Sequence, residues 1–254
     1  MRRRTWGVTL GLMLAACSLA FAQGRGRDSR SADEFPNAEY DGRFVFARIS
    51  YSESMDFGFG RGSRAAWSHD YPRAERNFLK ILSELSTINV RADASTIISL
   101  DNPELFRFPV AYMAEPGFWR PSDTEVLLVR AYLQKGGFMI FDDFAGRDWF
   151  NFVAQVEKVL PGAIPLRLDT SHPVFDSFYR IDNLDYYHPL QQIPSEFYGV
   201  FEDNDPTKRM MMMVNFNNDI AEYWEFSDQG YFPIDLSNEA YKLGINYMIY
   251  ALSR

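Results

Sequence analysis

Two adjacent carboxylates, Asp142 and Asp143, follow directly on the apolar run Phe138-Met139-Ile140-Phe141. A residue at the end of a core strand faces the rim where an open α/β sheet binds its ligands. A carboxylate pair there could hold a divalent cation, or one of the pair could act as a base if burial raised its pKa. The structural alternative is that one caps the next turn through backbone N–H groups and the other is solvated. His69 and Asp70 stand where a glycine-rich stretch meets a helical pattern. Asp70 there suits a helix cap and His69 a loop contact, while the catalytic alternative is a relay from His69 to Asp142 or Glu115. Candidate catalytic residues are therefore His69, Glu115, Asp142 and Asp143, and candidate metal ligands are His69, Asp142 and Asp143. Apart from such a divalent metal, no cofactor is expected.

Candidate ligand-binding residues are Trp67, Asp70, Arg73 and Trp119. Arg73 suits an ion pair with Glu115 or an anionic ligand. The aromatics Tyr51, Phe57, Phe59, Trp67 and Trp119 fall between apolar periods, where they suit a sugar, peptide or protein surface, or fold a long loop down as a lid. The spacing Gly58-x-Gly60-x-Gly62 lacks the further glycine, or the Lys-Ser/Thr pair, of a nucleotide-binding loop. His69, His172 and His188 are the three histidines, and no two are four residues apart, which argues against a zinc-binding helix. His172 before Pro173 reads as a turn contact. No G-x-S-x-G elbow supports a serine hydrolase.

Cys17 is the one cysteine in 254 residues. It falls inside an export-type leader over residues 1–22, with Arg2-Arg3-Arg4, the apolar stretch Trp6 to Ala16, and Ala20-Phe21-Ala22 before Gln23. Leu14-Ala15-Ala16-Cys17 also reads as a lipobox, with Cys17 lipidated as the alternative to cleavage after Ala22. On either reading the exported domain has no free thiol, hence no disulfide and no cysteine nucleophile. Membrane association is expected only through that leader or lipid, with a periplasmic or secreted location. The net charge of −8 argues against a nucleic-acid partner, which would need a basic face.

The elements that must position these residues begin after a polar, aperiodic spacer over residues 23–42. A single domain over residues 43–254 then alternates strands and helices. Strands are expected at Phe44–Ile49, Thr96–Leu100, Val110–Ala114 and Phe138–Phe141, the last stopped by Asp142-Asp143. Helical spacing follows Asp70 through Phe78, Leu79, Leu82 and Leu85, with Pro72 near its start. Ser122 and Glu125 form a capping box for a second helix that Gly136-Gly137 ends. Asp148 is the expected cap of a third helix, and Ser237 and Asn238 the expected caps of the last. Between them lie strands at Phe197–Phe201 and across Met210-Met211-Met212-Met213-Val214, a methionine run that suits a buried strand. Alternation of this kind predicts an α/β fold: a doubly wound, mostly parallel open sheet with helices on both faces.

Several segments in order carry a family resemblance: Trp67-Ser68-His69-Asp70-Tyr71-Pro72-Arg73-Ala74-Glu75-Arg76-Asn77-Phe78, Asp101-Asn102-Pro103-Glu104-Leu105-Phe106, and Leu133 through Asp143. His172-Pro173-Val174-Phe175 and Ala240-Tyr241-Lys242-Leu243-Gly244-Ile245-Asn246 continue it. Together they resemble the bacterial family known as domain of unknown function 4159. The resemblance implies a flavodoxin-like sheet similar to the class I glutamine amidotransferase superfamily, and it brings no established reaction. That superfamily's nucleophile is a Cys on a tight turn after a core strand, and the comparable turn here reads Ala114-Glu115-Pro116-Gly117. Cys-dependent amidotransferase activity is therefore not expected.

Two functions remain. The leading expectation is a noncatalytic module of the cell envelope that binds a small ligand or an envelope protein through its rim loops. The alternative is a hydrolase using carboxylates and His69, with or without a metal, on a carbohydrate or amide. The alternative requires His69, Glu115, Asp142 and Asp143 to converge.

Overall fold

The computed structural model describes residues 35–52 and 65–253. The expected leader with Cys17, most of the spacer, and Phe57 through Gly62 lie outside the described residues.

Among the described residues, seven strands form one sheet in the order β2-β1-β3-β4-β7-β6-β5. They are β1 (Ala47–Ser50), β2 (Thr96–Ser99), β3 (Val110–Ala114), β4 (Phe138–Phe144), β5 (Leu166–Arg167), β6 (Glu196–Phe201) and β7 (Met210–Phe216). β2, β1, β3, β4 and β7 pair in parallel, while β6 runs against both β7 and β5. The mostly parallel α/β sheet is the expected one. β3 and the first half of β4 are continuous apolar runs because both faces are covered.

Side chains alternate across the sheet with the period of two that a strand imposes. Tyr112, Ala114, Phe138 and Ile140 enter one core, beneath α1 (Arg73–Leu85), α4 (Ile220–Glu225) and α5 (Ile234–Leu252). Ala111, Met113, Met139 and Phe141 enter the other, beneath α2 (Asp123–Gln134) and α3 (Asp148–Val159). The helix after β1 and the helix after β3 therefore lie on opposite faces. This reversal at neighbouring strands is where such sheets open a crevice at their carboxyl edge. Met210 to Met213 are all buried, as a core strand requires.

On the first face the fit is tight at Gly244. A Cβ there would lie 2.5 Å from Trp224 and 2.6 Å from Phe78, whose rings stack at 4.4 Å. Glycine lets α5 approach the pair.

Several boundaries differ from expectation for local reasons. Residues 35–42 pack on the domain, with Phe35 and Ala38 buried and the Ala38 N–H donating to the Ser95 carbonyl at 2.8 Å. The packed part of the described chain thus includes Phe35 onward, within the expected spacer. This stretch also covers the outer edge of β2, where Asn37 Oδ1 accepts from the Ile97 N–H at 2.7 Å. β4 runs through Asp142 and Asp143 to Phe144, past a register shift after Phe141. The capping box of Ser122 and Glu125 is present. Asp148 lies inside α3, whose N-cap is Arg147. α5 begins at Ile234 after Pro233, so Ser237 and Asn238 lie within it. A proline pre-sets the entry and makes a side-chain cap further on unnecessary.

Candidate functional site

β1 is buried, yet its second residue is Arg48, whose side chain is wholly removed from solvent. A guanidinium in a core strand needs partners, and each is local to the rim. Its Nε donates to Glu75 of α1, forming a buried ion pair. Its Nη1 donates to the carbonyls of Trp67 and His69, both at 2.9 Å. Burial alone would drain the guanidinium's charge, but the Glu75 carboxylate more than restores it and raises its pKa. Arg48 thus clamps from below the turn that carries His69 and Asp70.

Asp70 does not cap α1. Its backbone is left-handed, with φ of 64°, and the helix N-cap is Pro72, without a side-chain cap bond. The Asp70 side chain instead points inward and is buried. Neither carboxylate oxygen accepts a hydrogen bond from a described residue, although His69 Nδ1 lies 3.5 Å from Oδ1.

His69 Nδ1 lies 2.6 Å from Asp143 Oδ2. The expected relay partners were Asp142 or Glu115; the register shift in β4 is what turns Asp143 toward the rim instead. Asp143 is also left-handed, with φ of 59°, and only 6% exposed.

Asp142 faces the opposite way and is committed to structure. It accepts from the Tyr112 hydroxyl at 2.9 Å, Asn215 Nδ2 at 3.1 Å, and the Ile220 and Ala221 amides at 3.0 and 3.2 Å. Tyr247 completes the network by donating to Asn215 Oδ1 at 2.8 Å. Asp142 therefore fastens the start of α4 to the sheet. This is the capping role of the structural alternative, applied to a helix far along the chain.

Fastening α4 brings in a residue the sequence reading passed over. Asp219 is the N-cap of α4, and its Oδ1 accepts from the Glu222 N–H at 2.9 Å. Its Oδ2 is buried with no hydrogen-bond donor among the described residues. The pattern Asp219-x-x-Glu222 after a buried strand is a helix-start signature that would have placed it on the rim. One donor atom each from His69, Asp70, Asp143 and Asp219 lie within 4.8 Å of one another.

The electrostatics follow from this crowding. Burial pushes the Asp70 carboxyl well above the usual range, Asp219 and Glu222 add to it, and His69 and Arg48 oppose. Asp143 is raised likewise by burial and by Asp70, Glu115 and Asp142. Asp219 is raised by burial and by Asp143, Asp142 and Glu222. Asp142 is raised by burial to about 6 against the pull of its four hydrogen bonds. Two ionised carboxylates 4 Å apart repel by roughly 4 kcal/mol at an effective dielectric of about 20. The cluster therefore needs added positive charge, as protons or a cation.

The remaining candidates divide. Glu115 is left-handed, with φ of 51°, on the tight turn after β3, where its charge reaches Asp143. The Tyr51 hydroxyl braces that turn by donating to the Glu115 carbonyl at 2.6 Å. Trp67 is half-buried beside the clamp. Arg73 pairs with Asp228 at 2.9 Å and not with Glu115, because α1 directs it toward the end of α4. Trp119 is fully buried against Phe141, packing the core beneath α3 and not lining the rim. His172 Nδ1 accepts from the Val174 N–H at 3.2 Å, the expected turn contact. A groove of about 630 Å³ between α1 and α5, lined by Lys80, Ile81, Leu85, Ile234 and Tyr241, contains none of the clustered residues.

A family model described as "Domain of unknown function (DUF4159)" matches residues 45–252, a span that includes every member of the cluster. A search of the curated proteins finds no match.

Proposed function

The chain belongs to the domain of unknown function family DUF4159, and we propose that it is an exported cell-envelope module that binds a ligand or partner protein at the carboxyl-end rim. The observation that carries this reading is the convergence of His69, Asp70, Asp143 and Asp219 from separate loops. Buried, closely spaced like charges lower stability, and such groups concentrate where a protein meets a ligand. The leader over residues 1–22 supports export, and the missing thiol supports binding over amidotransferase chemistry.

The test is in-cell crosslinking of the tagged full chain, followed by recovery of partners from envelope extracts. Wild type should return a reproducible partner that His69→Ala and Asp143→Asn lose while remaining folded. A partner retained by both variants would overturn the rim reading.

A second reading, hydrolysis of a carbohydrate or amide, is favoured by the 2.6 Å contact of His69 with Asp143, a base-and-orienter geometry. Turnover by purified wild type, abolished in His69→Ala, would put it first.

A further inference from the structure

The buried carboxylates gathered at the rim must be offset by protons or by a cation. Asp70 is 3% exposed and Asp219 is 1% exposed. Both Asp70 oxygens and Asp219 Oδ2 lack a hydrogen-bond donor among the described residues. Buried acceptors are almost always satisfied, so the unsatisfied oxygens of Asp70 and Asp219, on residues that gather with His69 and Asp143, call for a shared proton or a cation between them. Arg48, the guanidinium beneath them, is already paired with Glu75.

We propose that His69, Asp70, Asp143 and Asp219 are the protein ligands of one divalent transition-metal cation, manganese or zinc ahead of magnesium or calcium. This rests on the rim being the ligand site and names what it holds first. The donor set decides the class. Hard cations such as calcium and magnesium take oxygen ligands, whereas an imidazole nitrogen suits the first-row transition metals. The separations fit as well. Ligands about 2.1 Å from a metal lie roughly 3 to 4.2 Å from each other, and these donor atoms all lie within 4.8 Å of one another. The 2.6 Å approach of His69 Nδ1 to Asp143 must widen slightly to admit the ion. Asp142, a ligand candidate in the sequence, is excluded by its four donors, and Asp70 and Asp219 take its place. His69 is the one solvent-accessible member, its side chain 47% exposed, so the outer side of the ion is open to a ligand.

Three of the four ligands have a separate structural reason for their position. Arg48 fixes the carbonyl of His69, the β4 register shift aims Asp143, and the α4 cap leaves one Asp219 oxygen free. Such holding of donors by neighbouring groups is what tunes a metal site.

The experiment is calorimetric titration of the metal-depleted full-length protein, purified with its leader intact, with MnCl2, ZnCl2, MgCl2 and CaCl2 in turn. The expected result is one manganese or zinc ion per chain, with magnesium and calcium at least about tenfold weaker. Asp70→Asn and Asp219→Asn should each weaken binding at least about tenfold. Asn tolerates the left-handed backbone of position 70, so the fold survives that change. Both variants should also raise the melting temperature of the metal-depleted protein, because each removes a buried carboxylate from a repelling group. A merely structural aspartate would lower it. Glu225→Gln serves as the control, since Glu225 belongs only to a neighbouring group with Asp70 and Glu222. No stoichiometric binding by folded wild type, or loss of binding in Glu225→Gln but not in Asp219→Asn, overturns the proposal. A protein that binds no metal but loses its envelope partner in His69→Ala would refute the metal and leave the rim reading standing.

Discussion

Replacing Glu75 by leucine and Arg48 by methionine together should destabilise the domain far less than the sum of the two single replacements. Both side chains are fully buried and joined as an ion pair. Removing one partner leaves an uncompensated charge in the core, at a cost of about 3 to 5 kcal/mol. Arg48→Met should cost a similar amount, and additive behaviour would put the double variant at roughly 6 to 10 kcal/mol. The double variant leaves no charge behind. What it loses are the two guanidinium hydrogen bonds to the carbonyls of Trp67 and His69, each 2.9 Å. At about 1.5 kcal/mol each, their loss comes to roughly 3 kcal/mol. The coupling between the two sites should therefore exceed about 3 kcal/mol, and urea unfolding followed by tryptophan fluorescence measures it directly. A second measurement separates clamp from charge. Glu75→Leu keeps the grip of Arg48 on the His69 turn, whereas the double variant releases it, so manganese affinity should fall further in the more stable double variant. Additive destabilisation, or a Glu75→Leu cost below about 1 kcal/mol, would refute the reasoning.

Gly244→Ala places a methyl group 2.5 Å from Trp224 and should cost about 1 to 3 kcal/mol by overpacking, read from the urea midpoint. Asp142→Asn puts an NH2 where only donors point and should cost about 1 to 3 kcal/mol, with loss of helical ellipticity as α4 loosens. His188 is buried, and its Nδ1 accepts from the Leu190 N–H at 3.2 Å, so burial lowers its pKa from the usual 6.5. The unfolded chain then binds the proton more readily than the folded one. His188 contributes stability above pH 6.5 that is lost as pH falls through its folded value, and His188→Asn should flatten that part of a urea-midpoint profile.

Much of the sheet was legible because its period is written in the residues. Val110 to Ala114 and Phe138 to Phe141 are apolar throughout, and nothing but a doubly covered strand suits them. The helix capped by Ser122 and Glu125 was equally plain, since both halves of that motif are local. β5 escaped because two residues carry no periodicity, and α4 because six residues are too few to show a helical stripe. At the site, His69 and Asp143 were visible as polar residues at element ends. Their pairing was not, because it depends on a register shift in β4 that no local pattern announces. Asp142 and Asp143 looked equivalent in sequence, yet alternation on a strand sends neighbours to opposite sides, and one became structural. Arg48 carried the clearest missed signal, a charged residue inside a buried strand, which obliges a partner elsewhere.

The way the sheet ends bears on how anything can dock to it. Beyond β2 the chain's own Ala38 and Asn37 occupy the Ser95 carbonyl and the Ile97 N–H, groups a visiting strand would seek. At the far side β5 offers only Leu166 and Arg167. Among the described residues, neither flank presents a long open ladder for a foreign peptide or a second copy to extend. Recognition is thereby steered away from main-chain zippering and onto side chains, where it can be as selective as the groups displayed.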